Sequence, residues 1–248
     1  MTDTNQADRA FWDATWMRWA GQIDAPDALT WRNEMDKRRV DFLTDDLPPG
    51  GVIVEVGAGS GRLMARLGAI NGARLIGVDY SIPSMRLLGA TAAAFGVNIM
   101  PMGGDAFQLP IKTGAVDMVM SGGLLEHFED PRLLLNEMTR ILRPGGLFYA
   151  GVVPRRFFSI HRPLHRWRAP DVYRSSFGVR EYVAWLRERG CIDVTAINVG
   201  AYPPLMQHLS PVPRGVIERA FRAFDGTVIA DAVGYGILIK ARKGSTSV

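Results

Sequence analysis

Cysteine and histidine are scarce in this chain, and their scarcity removes two classes of site. Among 248 residues there is one cysteine, Cys191, and there are four histidines. One cysteine cannot form an internal disulfide, and no group of cysteines and histidines has the spacing of metal ligands. The sequence therefore predicts no disulfide framework and no structural metal ion.

Long apolar runs are also missing. No stretch approaches the ~18 to 20 consecutive apolar residues that a transmembrane helix needs. Residues 1–13 are polar and acidic, without the basic and apolar parts of a signal peptide. We therefore expect a cytoplasmic protein without a membrane span. The hydrophobic fraction of 47% in 248 residues predicts one large core with additions.

Positive charge is concentrated in one segment, although the net charge of +4 is modest. The arginines of this segment are Arg155, Arg156, Arg162, Arg166, Arg168 and Arg174. A nucleic-acid track needs more phosphate contacts along a face, so nucleic acid is disfavoured as a partner. A small anionic substrate, a membrane-surface or protein-docking patch, and an ordinary solvated surface all stay open.

Short apolar runs alternate with helical segments along the chain. Strands are predicted at Val52–Val56, Leu75–Val78, Val97–Met100, Val116–Met120 and Leu147–Val153, with two more near Asp193–Val199 and Gly234–Ala241. Helices are predicted at residues 11–20, from 29 or 31 to 43, from Ser81 to Gly96, from Asp130 to Pro144, at 178–189 and at 213–224. This alternation predicts an α/β fold with a doubly wound, mostly parallel sheet and helices on both faces.

Three glycines follow the first predicted strand, in Val54-Glu55-Val56-Gly57-Ala58-Gly59-Ser60-Gly61. Glycine adopts positive φ without steric cost and lets a ligand approach the backbone. A strand, a glycine turn and a helix in this order are typical of a nucleotide-type cofactor site, although an ordinary connecting loop can also be rich in glycine. Asp79, at the end of the second strand, can accept hydrogen bonds from ribose hydroxyls. Arg62 stands where a dinucleotide fingerprint has a small residue, which disfavours a pyrophosphate.

The chain resembles the class I S-adenosylmethionine-dependent methyltransferases of small molecules in several ordered motifs. These motifs are Glu55–Gly61, Gly77–Ser81, Gly103–Pro110, Asp117–Phe128 and Arg140–Gly146. The resemblance spans about Val52 to Val153. It implies a Rossmann-like sheet of seven strands with the last strand antiparallel, and it implies S-adenosyl-L-methionine as the cofactor.

The resemblance also implies which residues contact the cofactor. Asp79 would bind the ribose hydroxyls, Asp105 and Ala106 the adenine, and Ser121 with Gly122 the amino acid part. The full predicted set is Glu55, Gly57, Ala58, Gly59, Gly61, Asp79, Tyr80, Asp105, Ala106, Ser121 and Gly122.

His127 is the candidate catalytic residue. It follows the fourth predicted strand, and histidine is the side chain best suited to remove a proton near neutral pH. It is predicted to be a general base or a substrate orienter, and the alternative is a loop residue whose ring is hydrogen-bonded to backbone. Glu126 beside it is expected to be a solvated or capping acid, or to pair with Arg32 or Arg62.

Candidate substrate contacts come from two segments outside the motifs. The aromatic-rich stretch from Phe11 to Trp19 is either a core helix or a lid over cofactor and substrate. Arginines and aromatics after the fifth strand could hold a planar, anionic acceptor by stacking and paired hydrogen bonds. The predicted substrate-binding residues are Trp16, Arg155, Arg156, Tyr173 and Tyr202.

Four parts are predicted along the chain. They are an N-terminal helical cap at 1–50, a cofactor-binding core at 51–153, a substrate-side insertion at 154–178 and a C-terminal completion of the same domain at 179–248. The predicted function is methyl transfer to a small molecule, with oxygen the preferred acceptor atom. Nitrogen or carbon acceptors, a non-catalytic cofactor-binding protein with an interaction role, and an NAD-dependent oxidoreductase are the alternatives.

Overall fold

The structure is a computed structural model that describes residues 3–20, 23–28, 30–155, 172–200 and 211–245. Its helices are α1 (Asp3–Trp19), α2 (Trp31–Leu43), α3 (Arg62–Asn71), α4 (Ile82–Phe95), α5 (Arg132–Ile141), α6 (Val179–Glu188), α7 (Pro211–Arg222) and α8 (Val228–Val233). Its strands are β1 (Val52–Val56), β2 (Arg74–Asp79), β3 (Ile99–Gly103), β4 (Val116–Gly122), β5 (Leu142–Val152), β6 (Cys191–Val199) and β7 (Gly236–Lys243).

The strands form one sheet in the order β3-β2-β1-β4-β5-β7-β6. Strands β1 to β5 are parallel, whereas β7 is antiparallel to both β5 and β6. The strand order reverses between β1 and β4, which is the point where ligands bind in doubly wound sheets. The predicted fold class is confirmed, including the antiparallel last strand.

Apolar residues from alternate positions of the strands build a core on each face of the sheet. On one face, Val54, Val119 and Phe148 pack with buried residues of α5 and α6. On the other face, Ile53, Met118 and Tyr149 pack with residues of α2, α3 and α4. Because successive side chains of a strand point to opposite faces, these runs are apolar almost throughout.

The start of α4 predicted at Ser81 and its end predicted at Gly96 are both confirmed. The Ser81 hydroxyl accepts the backbone N–H of Ser84, so Ser81 is the N-cap of α4. Gly96 ends the helix at φ +65°, a conformation that suits glycine.

Several predicted strands have shifted bounds, β3 and β5 among them. β3 begins at Ile99 because the N–H of Val97 still donates to Ala92 O at the end of α4. β5 begins at Leu142 because Leu142 pairs with Val116, and a register shift follows before Leu147 pairs with Met118. The segment Arg143-Pro144-Gly145-Gly146 is therefore an irregular part of β5 and not a helix end.

Helix α8 has no counterpart among the predicted elements. It is six residues long and too short to show a helical period in the sequence. None of the helices in the described ranges has the length and hydrophobicity of a membrane span. Among the same residues, no cluster of potential metal ligands is found.

Candidate functional site

The carboxyl ends of β1, β2 and β4 meet where the strand order reverses, and the predicted cofactor residues lie there. The loop after β1 contains Gly57, Gly59 and Gly61 with φ angles of 65°, 51° and 63°. L side chains rarely adopt this left-handed conformation, so glycine is required at all three positions.

Side chains of the protein cover the open faces of these glycines. A Cβ atom at Gly57 would lie 2.9 Å from Leu124 Cδ1, and one at Gly59 would lie 2.5 Å from the ring of Trp16. A Cβ at Gly61 would lie 2.4 Å from Leu88 Cδ2. The glycine loop is therefore a packing surface as well as a turn.

Asp79 links the glycine loop to the start of α4. Its Oδ2 accepts the N–H of Gly59 at 2.8 Å, and its Oδ1 accepts the N–H of Ser81 at 2.9 Å. Burial raises the pKa of Asp79 against the opposing effect of these hydrogen bonds. An ionised carboxylate offers about four lone-pair sites, so both oxygens retain capacity for a ligand hydroxyl.

The predicted adenine residues follow β3 at the same edge. Asp105 is exposed, and its Oδ1 accepts the N–H of Phe107 at 2.9 Å. Ala106 is partly buried against the core. Tyr80, between β2 and α4, accepts Arg9 Nη2 at its carbonyl oxygen at 2.6 Å.

Glu55 and Ser121 are buried on adjacent strands. Glu55 is 4% exposed, and burial raises the pKa of its carboxyl to about 8. Ser121 is fully buried, whereas Gly122 is exposed. Within the described part of the chain, Glu55 Oε2 and Ser121 Oγ have no hydrogen-bond partner.

His127 lies in the short 3-10 turn Leu125–His127 after β4. Its Nδ1 is 2.9 Å from the carbonyl oxygen of Tyr173, and its ring meets that of Trp12 edge-on with the centroids 5.0 Å apart. A carbonyl only accepts hydrogen bonds, so Nδ1 carries the proton and the basic lone pair of the neutral ring is on Nε2.

The expectation for Glu126 was wrong. Glu126 is 2% exposed, and its Oε1 accepts the N–H of Val153 at 3.1 Å. Arg32 contacts Asp24, and Arg62 contacts Asp24 and Asp36. Glu126 is buried beside the ends of β4 and β5, so its carboxylate accepts from the Val153 backbone and does not pair with Arg32 or Arg62.

Helix α1 crosses the same edge of the sheet and carries the predicted substrate residue Trp16. The Trp16 ring lies on Gly59 and stacks with Trp12 at a centroid distance of 5.7 Å. Asp13 Oδ1 accepts the Ser81 hydroxyl at 2.5 Å. The helix thus spans from the N-terminus of α4, over the glycine loop, to His127.

The other predicted substrate residues are only partly described. Arg155 is exposed, and its N–H donates to Ser175 O at 2.7 Å. Tyr173 is 48% exposed beside His127. Arg156 and Tyr202 lie outside the described residues, as does most of the arginine-rich segment.

Two groups near the site were not singled out from the sequence, namely Arg39 of α2 and Tyr149 of β5. Asp36 holds Arg39 Nη1 at 3.1 Å and also Arg62 Nε at 3.3 Å. Arg62 therefore anchors α2 to the start of α3. No sequence signal marks Arg39 or Tyr149, because one lies in a charged helix and the other in an apolar strand.

Comparison with known proteins identifies the central part of the chain. Residues 54–150 match the family model described as a methyltransferase domain. An uncharacterized methyltransferase of Mycobacterium sp. (strain JLS) is 36% identical over 104 residues, which are 42% of this chain and 39% of that protein. A demethylmenaquinone methyltransferase of Thermus thermophilus is 31% identical over 118 residues, which are 48% of this chain and 51% of that protein. The chain thus spans about half the length of these curated relatives, or less.

A solved structure has the same fold. Geranyl diphosphate C-methyltransferase from Streptomyces coelicolor A3(2), in complex with Mg²⁺, geranyl diphosphate and S-adenosyl-L-homocysteine, superposes with a TM-score of 0.58. It is 18% identical, and the match covers 85% of this chain and 80% of that chain.

The family match begins within β1 and ends within β5, and it contains the glycine loop, Asp79, Asp105 and His127. Residues 54–150, which include all the predicted cofactor residues, are thus similar to a methyltransferase domain, and the fold is that of a solved methyltransferase structure.

Proposed function

We propose that this chain is an S-adenosylmethionine-dependent methyltransferase whose acceptor is a small molecule, with oxygen the preferred acceptor atom. The observation that carries the proposal is the grouping of Glu55, Asp79 and Ser121 beside the glycine loop, within a methyltransferase domain. The relative from Thermus thermophilus, named for a small-molecule acceptor, supports the substrate class.

The residues present fit the cofactor in this proposal. Asp79 would hold the ribose hydroxyls beside Gly57, Ala58, Gly59, Gly61 and Tyr80, and Asp105 with Ala106 would hold the adenine. Glu55, Ser121 and Gly122 would hold the amino acid end, where Glu55 Oε2 and Ser121 Oγ are buried without partners among the described residues. An orphaned buried oxygen costs about 1–3 kcal/mol, which a ligand donor removes.

Positioning and exclusion of water would supply most of the catalysis. When bound, S-adenosylmethionine supplies an electrophilic methyl group. Nε2 of His127 would take the proton from an acceptor hydroxyl, while the ring stays oriented by Tyr173 O and Trp12. Helix α1 would close the site through Trp16. Arg155, Arg156, Tyr173 and Tyr202 would contact the acceptor.

Cofactor titration tests the proposal against an NAD-dependent oxidoreductase. We expect the full chain to bind S-adenosylhomocysteine in isothermal titration calorimetry and not to bind NADH. Binding of NADH without binding of S-adenosylhomocysteine would contradict the proposal. Transfer of a labelled methyl group, with the product analysed by mass spectrometry, then distinguishes oxygen acceptors from nitrogen or carbon acceptors.

A second candidate is a non-catalytic protein that keeps the cofactor site and docks through its arginine-rich segment. The described residues on the two sides of this segment lie beside His127, where the Arg155 N–H donates to Ser175 O. Methyl transfer to any acceptor would exclude this candidate. The cytoplasmic location and the division at residues 50, 153 and 178 stay predictions.

A further inference from the structure

The turn that carries His127 is hydrogen-bonded to the chain that returns to the described structure before α6. His127 Nδ1 is 2.9 Å from Tyr173 O. The Ser175 N–H donates to Glu126 O at 2.7 Å, and Ser175 O accepts the Arg155 N–H, also at 2.7 Å. Residues 173–175 therefore lie between the turn and the chain that leaves β5.

Glu126 connects this arrangement to β5 through its side chain. Its Oε1 accepts the N–H of Val153, directly after the last residue of β5, at 3.1 Å. Its carbonyl oxygen accepts the Ser175 N–H, so Glu126 contacts both the leaving and the returning chain. A shift of Glu126 would move Ser175, and with it the Tyr173 carbonyl two residues earlier.

The side chain of Glu126 lies in a buried environment. Glu126 and Ser175 are each 2% exposed, and Tyr182 of α6 is fully buried. Burial raises the pKa of the Tyr182 hydroxyl, and the nearby Glu126 adds to this rise. Burying a carboxyl group costs free energy unless it is hydrogen-bonded, and Oε2 of Glu126 has no partner within the described ranges. Packing alone would therefore favour an apolar residue at this position.

The Tyr173 carbonyl decides which nitrogen of His127 is basic. An unrestrained neutral imidazole favours the tautomer with the proton on Nε2 and the lone pair on Nδ1. A carbonyl beside Nδ1 selects the opposite tautomer, because a carbonyl oxygen can only accept a hydrogen bond. The basic lone pair on Nε2 thus depends on where Tyr173 O is held.

We propose that Glu126 is a positioning residue for His127. By holding Val153 and Ser175 it keeps Tyr173 O at Nδ1, and so it keeps the basic lone pair on Nε2. The inference rests on the proposed function, in which Nε2 takes the proton of the acceptor. The tautomer itself exists without acceptor or cofactor, so it can be measured on the free protein.

The experiment measures the tautomer by NMR on the full chain with ¹⁵N-labelled histidine. Spectra that correlate the ring nitrogens with the ring carbon-bound protons distinguish the two neutral tautomers. The chain contains four histidines, and the spectrum of His127→Asn identifies the signals of His127. At about pH 8, where an ordinary imidazole is neutral, we expect the Nδ1–H tautomer for His127.

Three replacements of Glu126 separate the reach of the side chain from its charge. Glu126→Gln keeps the length and an oxygen that can accept the Val153 N–H, Glu126→Asp keeps the charge but is one methylene shorter, and Glu126→Ala removes both. We expect Glu126→Gln to keep the Nδ1–H tautomer, and the other two variants to shift His127 mainly to the Nε2–H tautomer. Glu129→Ala, which removes a nearby exposed acid, is the control and should leave the tautomer unchanged.

Turnover supplies the second readout. Glu126→Asp should lower kcat by about tenfold or more, as part of the contribution of a general base is lost. Glu126→Gln should keep kcat close to that of the unmodified chain. The affinity for S-adenosylhomocysteine, measured by isothermal titration calorimetry, should be the same in both variants.

The failures of the inference and of the proposed function are distinguishable. An Nε2–H tautomer in the unmodified chain or in Glu126→Gln would overturn the inference, and so would an Nδ1–H tautomer in Glu126→Asp. If Glu126→Ala fails to fold, the comparison of Glu126→Asp with Glu126→Gln still decides. A chain that shows the expected tautomers but binds no S-adenosylhomocysteine would contradict the proposed function and leave the positioning of His127 standing.

Discussion

Two residues at the ends of neighbouring strands carry the ionisable chemistry of the site, and their surroundings differ. Glu55 is almost wholly buried, whereas His127 is only partly covered. The sequence could predict that both lie at the carboxyl edge, because Glu55 is the last residue but one of a predicted strand and His127 follows another. It could not predict that Glu126 is buried or that Arg39 of α2 lies near Gly151 of β5. Both depend on contacts between segments far apart in the chain.

The stability of the protein should depend on pH through Glu55. Its pKa rises from 4.5 to about 8 on folding, so between these values the folded state holds a proton that the unfolded state has released. The free energy of unfolding therefore falls as pH rises through this interval, by up to ~1.4 kcal/mol per pH unit. Urea unfolding should show a flatter pH dependence for Glu55→Gln. Glu129→Gln, at an exposed position, should keep the unmodified slope.

His127 can be tested as a base without losing its structural contact. Asn can donate from Nδ2 to Tyr173 O as the imidazole Nδ1 does, but it cannot accept a proton at neutral pH. If His127 is the base, both His127→Asn and His127→Ala should lower kcat by about 100-fold or more while the affinity for S-adenosylhomocysteine is unchanged. Recovery of activity in His127→Asn alone would show that the residue only orients the loop.

At the scale of elements, helix α1 makes contacts that a solvated leader would not make. Its side chains reach Gly59, Ser81 and the ring of His127. The aromatic density of residues 11–19 predicted a packed helix but left its site of contact open. Residues of three separate segments, Gly59, Ser81 and His127, determine that site, so the sequence of α1 alone does not contain it.

Closure of α1 over the site should be measurable by proteolysis. Arg18 is exposed near the end of α1, and we expect S-adenosylhomocysteine to slow tryptic cleavage there. Trp16→Ala should speed cleavage in the free protein, because the ring contact with Gly59 is lost. Fragments identified by mass spectrometry give the site and rate. Equal rates with and without ligand would count against a lid.

In the whole molecule, the last strand, β7, pairs with β5 from the middle of the chain. β7 lies between β5 and β6, so the part after residue 179 completes the sheet begun at residue 52. The alternation of apolar runs predicted seven strands, and the resemblance supplied the antiparallel direction of the last. The later start of β3 and the irregular start of β5 were not predictable, because the cap of α4 and the pairing of Leu142 with Val116 decide them.

Unfolding should therefore be a single transition by fluorescence and by circular dichroism. Both core clusters share strands of one sheet, which couples them. S-adenosylhomocysteine at about 100 times its Kd should add ~2.7 kcal/mol to the free energy of unfolding and move the whole transition. Two separate transitions, of which the ligand moves only one, would contradict this picture and favour a separate C-terminal unit.

Asp36 holds Arg39 with one oxygen and Arg62 with the other. Arg39 Nε would lie 3.9 Å from a Cβ atom at Gly151, and Arg62 begins the helix that follows the glycine loop. Groups that share a partner do not contribute independently, so the losses in the free energy of unfolding on replacing the two arginines are not additive. The Asp36 carboxylate thus couples α2 to the start of α3 energetically. A substitution at either arginine therefore changes the contribution of the other to stability.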